Sequence, residues 1–251
     1  MRGSRVNTGY HPPPMRRILH TKEWLAAELA LLFVALPVGL TFAPFPKGYL
    51  FPVLWIVAAL CLVYLWRSRR FERKQLWNLG EAVPHLPLIV GRFVVLAAVL
   101  VGALVLLLPP TPTAEMPQTR EQFREAGPTL WTWFGLIKWN TGLYAAIMVL
   151  YPIFSVLPQN VIYRVFFFHR YGPLLGERWA MVAVGGATFG LGHLMFGNWV
   201  APTLTALGGL LMMDTYRRSR SAAASWFEHA LYGCFVWTLG IGRMFYYNPP
   251  G

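Results

Sequence analysis

The chain has 251 residues, of which 56% are hydrophobic and only 13% are charged, and it carries a formal net charge of +12. This composition excludes an ordinary soluble domain and indicates an integral membrane protein in a lipid bilayer. The positive charge could also suit a nucleic-acid-binding protein, but the basic residues cluster at the ends of apolar runs. That distribution follows the positive-inside rule of membrane proteins better than it fits a nucleic-acid patch, so we expect no nucleic acid as a partner.

The first half of the chain predicts a basic tail followed by three membrane spans. Residues 1–23 are polar and basic and are expected to form a cytoplasmic tail. The spans are predicted at about Trp24–Phe42, Tyr49–Trp66 and Leu86–Leu108. Arg92 lies near the inner end of the third span, where its side chain could snorkel to the interface. The loop before that span marks the cytoplasmic side by its basic residues, which are Arg67, Arg69, Arg70, Arg73 and Lys74.

The second half predicts four further spans after a proline-rich loop at residues 109–130, whose excess of acids suits the non-cytoplasmic side. The fourth span begins near Trp131–Thr141 and runs through Pro152 and Pro158 to Arg170. Two prolines should kink or break it, which leaves one long helix or two shorter pieces as alternatives. The last three spans are predicted at about Trp179–Met195, Val200–Met213 and Ala222–Gly240.

These elements predict an all-α membrane protein with about seven transmembrane helices and a cytoplasmic N-terminus. We divide it into the tail (1–23), the N-terminal helices and loop (24–130) and a helical core (131–251). Spans four to seven should form the dense, polar half of the bundle, because Gly186 and Gly190 make a GxxxG pattern that favours close helix packing.

The polar residues within the apolar spans are the candidates for a functional site. Gln159 and Asn160 stand in span four with Arg164 one turn later, so that Asn160 and Arg164 should share a helix face. His193 and His229 lie in later spans. Buried charges in a bilayer are costly and are functional candidates by default, although single residues of this kind often only join helices by hydrogen bonds.

In order and spacing, these residues resemble the signatures of the CAAX prenyl protease 2 and bacteriocin-processing family of intramembrane proteases. That family carries EExxxR, FxxxH and a later histidine that is often followed four residues on by Asn or Asp. The matching segments here are QNVIYR (159–164), FGLGH (189–193) and HALYG (229–233), within roughly residues 140–245. The resemblance implies that Gln159, Asn160, Arg164, His193 and His229 occupy catalytic positions, with a divalent metal such as zinc at His193 and His229.

The substitution of the glutamate pair by amides separates this chain from an ordinary member of that family. An amide cannot take a proton from water as a carboxylate does, and two histidines without a carboxylate make a weak metal site. Glu28, Glu228 or Asp214 could replace the missing acid only if tertiary packing brought one of them close. A histidine could itself act as the base.

Three functions therefore remain as hypotheses for a protein that we place in a bacterial inner membrane, with a eukaryotic endomembrane as the alternative. The first is a protease-like fold with a degenerate site, which binds a membrane peptide or a membrane-protein partner. The second is a working intramembrane endopeptidase that hydrolyses a membrane-protein or prenylated-peptide substrate. The third is a structural or assembly subunit of a membrane complex.

Overall fold

The computed structural model describes residues 21–42, 49–107, 137 and 140–245, and within these ranges the chain is helical and has no strand. The predicted all-α membrane fold is confirmed. The helices, numbered in chain order, are α1 (Lys22–Phe42), α2 (Leu50–Arg67), α3 (Leu79–Leu107), α4 (Thr141–Leu175), α5 (Trp179–Leu191), α6 (Val200–Ser219) and α7 (Ala222–Thr238). Short 3₁₀ turns lie at Arg73–Leu76, Leu194–Phe196 and Ile241–Phe245. The predicted tail and the 109–130 loop fall almost wholly outside the described residues.

Among the described residues, five segments are long and apolar enough to cross a bilayer: α1 to α4, and α5 with its following turn, Trp179–Phe196. The α6 and α7 helices carry more polar residues, and these are buried in the bundle, as Asp214, Ser225 and Glu228 illustrate. Polar side chains in a membrane protein normally face the interior in this way, because lipid offers them no hydrogen bonds.

The α4 helix is one continuous piece, so the two-piece alternative is not observed between Thr141 and Leu175. It is widened into π turns at Pro152–Val156 and Val161–Phe166. The first π turn begins at a proline, whose missing N–H removes one α-helical bond and whose ring displaces a carbonyl. Three of the predicted site residues, Gln159, Asn160 and Arg164, lie between these turns or within the second one.

The closest helix packing is between α5 and α6, at the predicted GxxxG glycines. A Cβ atom at Gly190 would lie 2.7 Å from the Cβ of Ala206 and 2.8 Å from the Pro202 carbonyl oxygen. A Cβ at Gly186 would lie 2.8 Å from the backbone nitrogen of Leu210. Only glycine permits this approach, as the small-residue pattern predicts.

Arg92 of α3 turns into the bundle, and its predicted snorkelling to the interface is wrong. Its guanidinium donates to Asp214 Oδ2 at 2.6 Å and to Thr215 Oγ1 at 3.1 Å, and it lies 3.9 Å from Glu228. The two buried carboxylates of α6 and α7 attract the cation more strongly than the interface does. Arg92 thereby joins α3 to the two helices that carry the polar core.

Candidate functional site

A cavity of about 360 Å³ lies between α2, α4, α5, α6 and α7. Three of the five predicted site residues line it, namely Gln159, His193 and His229. The rest of its wall is largely apolar and includes Leu50, Phe51, Leu54, Phe196, Leu204, Met212, Val236, Trp237 and Phe245. A mainly apolar cavity with a few convergent polar groups is the usual form of a ligand site.

Phe189 holds the two histidines and the arginine together. Its ring centroid lies 4.7 Å from that of His193 and 5.3 Å from that of His229, both edge to face. The Arg164 guanidinium stacks over the same ring, with its carbon 4.1 Å from the centroid. The FxxxH segment therefore supplies both a cavity imidazole and the aromatic platform on which the other two residues pack.

The orientation of His193 is fixed by the end of α5. The helix ends at Leu191, and His193 lies in the turn that follows, where its Nδ1 is 2.8 Å from the Phe189 carbonyl oxygen. Because a carbonyl only accepts, Nδ1 carries the hydrogen in this contact. The Nε2 atom of a neutral His193 is consequently the acceptor.

Gln159 and Asn160 face different parts of the molecule. The Gln159 amide lines the cavity and donates from Nε2 to Ser155 Oγ at 3.0 Å. Asn160 is buried against the start of α7, where it donates to the Ala222 carbonyl at 2.9 Å and accepts from Ser225 Oγ at 2.8 Å. Asn160 is therefore a clamp between α4 and α7, and only Gln159 is in a position to meet a ligand.

Arg164 also lies outside the cavity wall, behind Phe189. It is 1% exposed, and its one hydrogen bond in the described structure is from Nη2 to the Met212 sulfur at 3.3 Å. Asn160 and Arg164 have different partners: Asn160 bonds to the start of α7, whereas Arg164 packs against Phe189 of α5 and Met212 of α6.

Several buried polar atoms in the cavity wall and directly behind it lack a protein partner. Among the described residues they are Gln159 Oε1, Arg164 Nε and Nη1, His229 Nδ1 and Glu228 Oε2. Buried polar groups are normally satisfied, so a cluster without partners indicates a place where water or a bound polar group completes the bonding.

None of the acids that could replace the missing glutamates lines the cavity. Glu28 accepts two bonds from Arg170, at 2.8 and 2.6 Å. Asp214 forms ion pairs with three arginine side chains, those of Arg92, Arg217 and Arg218. Glu228 is fully buried, accepts from Tyr232 Oη at 2.7 Å and is directed to Arg92.

The residues present do not fit a metal site. The described part of the chain has no group of three or more His, Cys, Asp or Glu side chains that could hold a metal ion. Of the two cavity histidines, His193 uses Nδ1 for the Phe189 carbonyl, and no carboxylate joins them. A stable zinc site needs three or four protein ligands, so we derive no chemistry from a metal here.

The sequence reasoning missed two tyrosines of α4, Tyr151 and Tyr163, which line the cavity. The Tyr163 hydroxyl lies over Gly192, where a Cβ would be 2.5 Å from Oη, and the Tyr151 ring occupies the space that a side chain at Gly233 would need. Gly192 precedes His193, and Gly233 is one turn after His229. The sequence signal that could have pointed to these tyrosines was a glycine close to each motif histidine, directly before His193 and one turn after His229.

Residues 130–235 match the protein-family model described as type II CAAX prenyl endopeptidase Rce1-like. No curated protein and no solved structure matches the chain. All five predicted site residues fall within the matched region, and so do Phe189, Tyr151 and Tyr163. Residues 130–235 are thus Rce1-like, and the predicted resemblance to the CAAX-type intramembrane protease family is confirmed for this part of the chain.

Proposed function

We propose that this integral membrane protein is a non-catalytic relative of the CAAX-type proteases, which binds an apolar segment of a membrane peptide or partner protein in its cavity. One observation carries the proposal: the described cavity wall contains Gln159, His193 and His229 but no aspartate or glutamate. The position from which the related enzymes activate water holds a neutral amide. An amide is not a general base, so binding can persist where hydrolysis does not.

The character of the cavity supports a binding role. Its volume of about 360 Å³ lies within the usual range of ligand pockets, and its wall is mostly aliphatic and aromatic. Gln159, His193 and His229 are the few polar side chains in the wall that could orient a ligand by hydrogen bonds.

The geometry of His193 favours a second candidate, a working endopeptidase with a histidine as its base. Its Nδ1 is held by the Phe189 carbonyl, which leaves Nε2 as an acceptor for a proton from water. Arg164, with two unpaired donor atoms, would be the cation that favours an oxyanion. This candidate ranks second because Arg164 lies behind Phe189, outside the cavity wall.

The arrangement of basic residues supports the predicted cytoplasmic N-terminus. A polar cleft of about 670 Å³ is lined by residues from the α2–α3, α4–α5 and α6–α7 connections, among them Arg70, Glu177 and Arg220. The three connections therefore meet at one end of the bundle. Their excess of arginine assigns that end to the cytoplasmic side by the positive-inside rule.

The decisive experiment restores one carboxylate. Purified wild type and Gln159→Glu, each in lipid nanodiscs, are given a quenched-fluorescent farnesylated peptide, and both binding and cleavage are measured. We expect the wild type to bind without cleaving and Gln159→Glu to cleave, with cleavage lost on adding His193→Ala. Asn160→Glu is the matched control, and it should gain nothing because residue 160 faces α7.

Other outcomes contradict the proposal. Cleavage by the wild type that His193→Ala abolishes would establish the endopeptidase. Failure to bind the peptide, together with stable co-purification of one membrane protein that His193→Ala and His229→Ala leave unchanged, would instead establish a structural or assembly subunit.

A further inference from the structure

Two tyrosine hydroxyls of α4 reach the cavity next to the two motif histidines. Tyr151 is the last residue before the π turn Pro152–Val156, and Tyr163 lies within the π turn Val161–Phe166. The Tyr151 side chain lies against Gly233 of α7, and the Tyr163 side chain lies against Gly192 at the end of α5. Any side chain at either glycine would displace a hydroxyl, so the four residues form two matched contacts.

Neither hydroxyl has a hydrogen-bond partner in the described part of the chain, although both residues line the cavity. Other tyrosines of the bundle are satisfied: Tyr144 is 3.0 Å from Thr238 Oγ1, and Tyr232 donates to Glu228. Buried tyrosine hydroxyls normally find a partner. The two free hydroxyls are therefore donors available to a group inside the cavity.

The same cavity offers acceptors but no charge. Gln159 Oε1 is unpaired, and His193 Nε2 is an acceptor when its Nδ1 donates to Phe189. Among the described residues, no lysine, arginine, aspartate or glutamate lines the wall, because Arg164 lies behind Phe189. Uncharged donors and acceptors in the wall complement the neutral amide groups of a ligand. An ionised ligand group would lose its water in the cavity and find no opposite charge in the wall to replace it.

We propose that Tyr151 and Tyr163 donate hydrogen bonds to main-chain carbonyls of an uncharged peptide segment, and that the cavity selects such a segment over one that ends in a free carboxylate. This inference rests on the proposed peptide-binding function and names the ligand chemistry of that site. His193 Nε2 accepts from the peptide N–H. The apolar wall receives the aliphatic or aromatic side chains.

The test uses one short apolar peptide in two forms, one with an amidated C-terminus and one with a free carboxylate, each carrying the same fluorophore. Binding to the full chain in nanodiscs is measured by fluorescence anisotropy. We expect the amidated form to bind at least about tenfold more tightly, because a charge enters the cavity with no counter-ion. Tyr151→Phe and Tyr163→Phe should each weaken the amidated form about three- to tenfold, as for one lost hydrogen bond.

Tyr144→Phe is the matched control, since it removes a hydroxyl from the same helix that bonds to Thr238 and does not line the cavity. It should leave the affinity unchanged. Equal affinity for both peptides, or unchanged binding to Tyr151→Phe and Tyr163→Phe, would overturn this inference while the proposed function stands. Failure of the wild type to bind either peptide would overturn both. Gly192→Ala, which displaces the Tyr163 hydroxyl without removing it, should reproduce the loss seen with Tyr163→Phe.

Discussion

Substitution of Arg92 by methionine should destabilise the protein, although the sequence alone places this residue at the interface. The change removes the 2.6 Å ion pair with Asp214 and the bond to Thr215. It also leaves Glu228, which is fully buried, without a cation within 4.0 Å. Methionine keeps the length and apolar stem of the side chain, so the loss is mainly electrostatic.

The magnitude follows from these contacts. Breaking a buried ion pair costs about 3–5 kcal/mol. The Arg92 side chain is 19% exposed, and Asp214 keeps Arg217 and Arg218 as partners. We therefore expect about 2–4 kcal/mol, which for a chain of this size lowers the melting temperature by about 4–16 °C. Lys74→Met is the control, because its pair with Glu72 is exposed on both sides and contributes about 0–1 kcal/mol.

Thermal unfolding followed by tryptophan fluorescence in detergent measures both variants. A double-mutant cycle with Glu228→Gln tests the cause, since a glutamine still accepts from Tyr232 but carries no charge to be left unpaired. The cost of Arg92→Met should fall by about 1–3 kcal/mol in that background. The reasoning is refuted if Arg92→Met lowers the melting temperature no more than Lys74→Met, or equally in both backgrounds.

Two further changes test the packing that positions the site. Gly190→Leu should disrupt the α5–α6 contact and lower the yield of folded protein in detergent. Gly91→Leu is the control, because that glycine has open space around it, and it should not lower the yield. Equal yields of the two variants would show that the close approach of α5 and α6 is unimportant. Asn160→Leu should cost about 1–3 kcal/mol in thermal unfolding, because the buried Ala222 carbonyl and Ser225 hydroxyl lose the bonds to the Asn160 amide and keep only the 3.3 Å bond between themselves. A smaller loss than for Gln159→Leu would contradict the clamp.

The helix positions could be predicted from the sequence because hydropathy and loop charge act over whole segments. Every predicted span within the described residues corresponds to a helix, although α3 begins at Leu79 instead of Leu86 and α6 continues past Met213 to Ser219. The α6 end differs because Asp214 is buried and bonded to arginines there, which a hydropathy average does not detect.

The candidate site was only partly predictable, because the sequence does not say which neighbouring helix each side chain of α4 meets. Spacing of four placed Asn160 and Arg164 together on α4, but it could not predict that Asn160 bonds to α7 while Arg164 packs on Phe189 of α5. Proline marks where the first irregularity begins, yet the sequence does not say whether it becomes a kink, a break or a widened turn. Tyr151 and Tyr163 escaped notice because a tyrosine in an apolar run usually belongs to the core.

Phe51 of α2 lies where the cavity meets the exposed surface of the bundle. Its side chain is 55% exposed on the outer surface of the bundle and also lines the cavity. The α2 helix contributes only Leu50, Phe51 and Leu54 to that wall, so no hydrogen bond has to break there when a side chain rotates. A lateral passage at this point would admit an extended apolar chain directly from the hydrocarbon phase, without exposing it to water on the way.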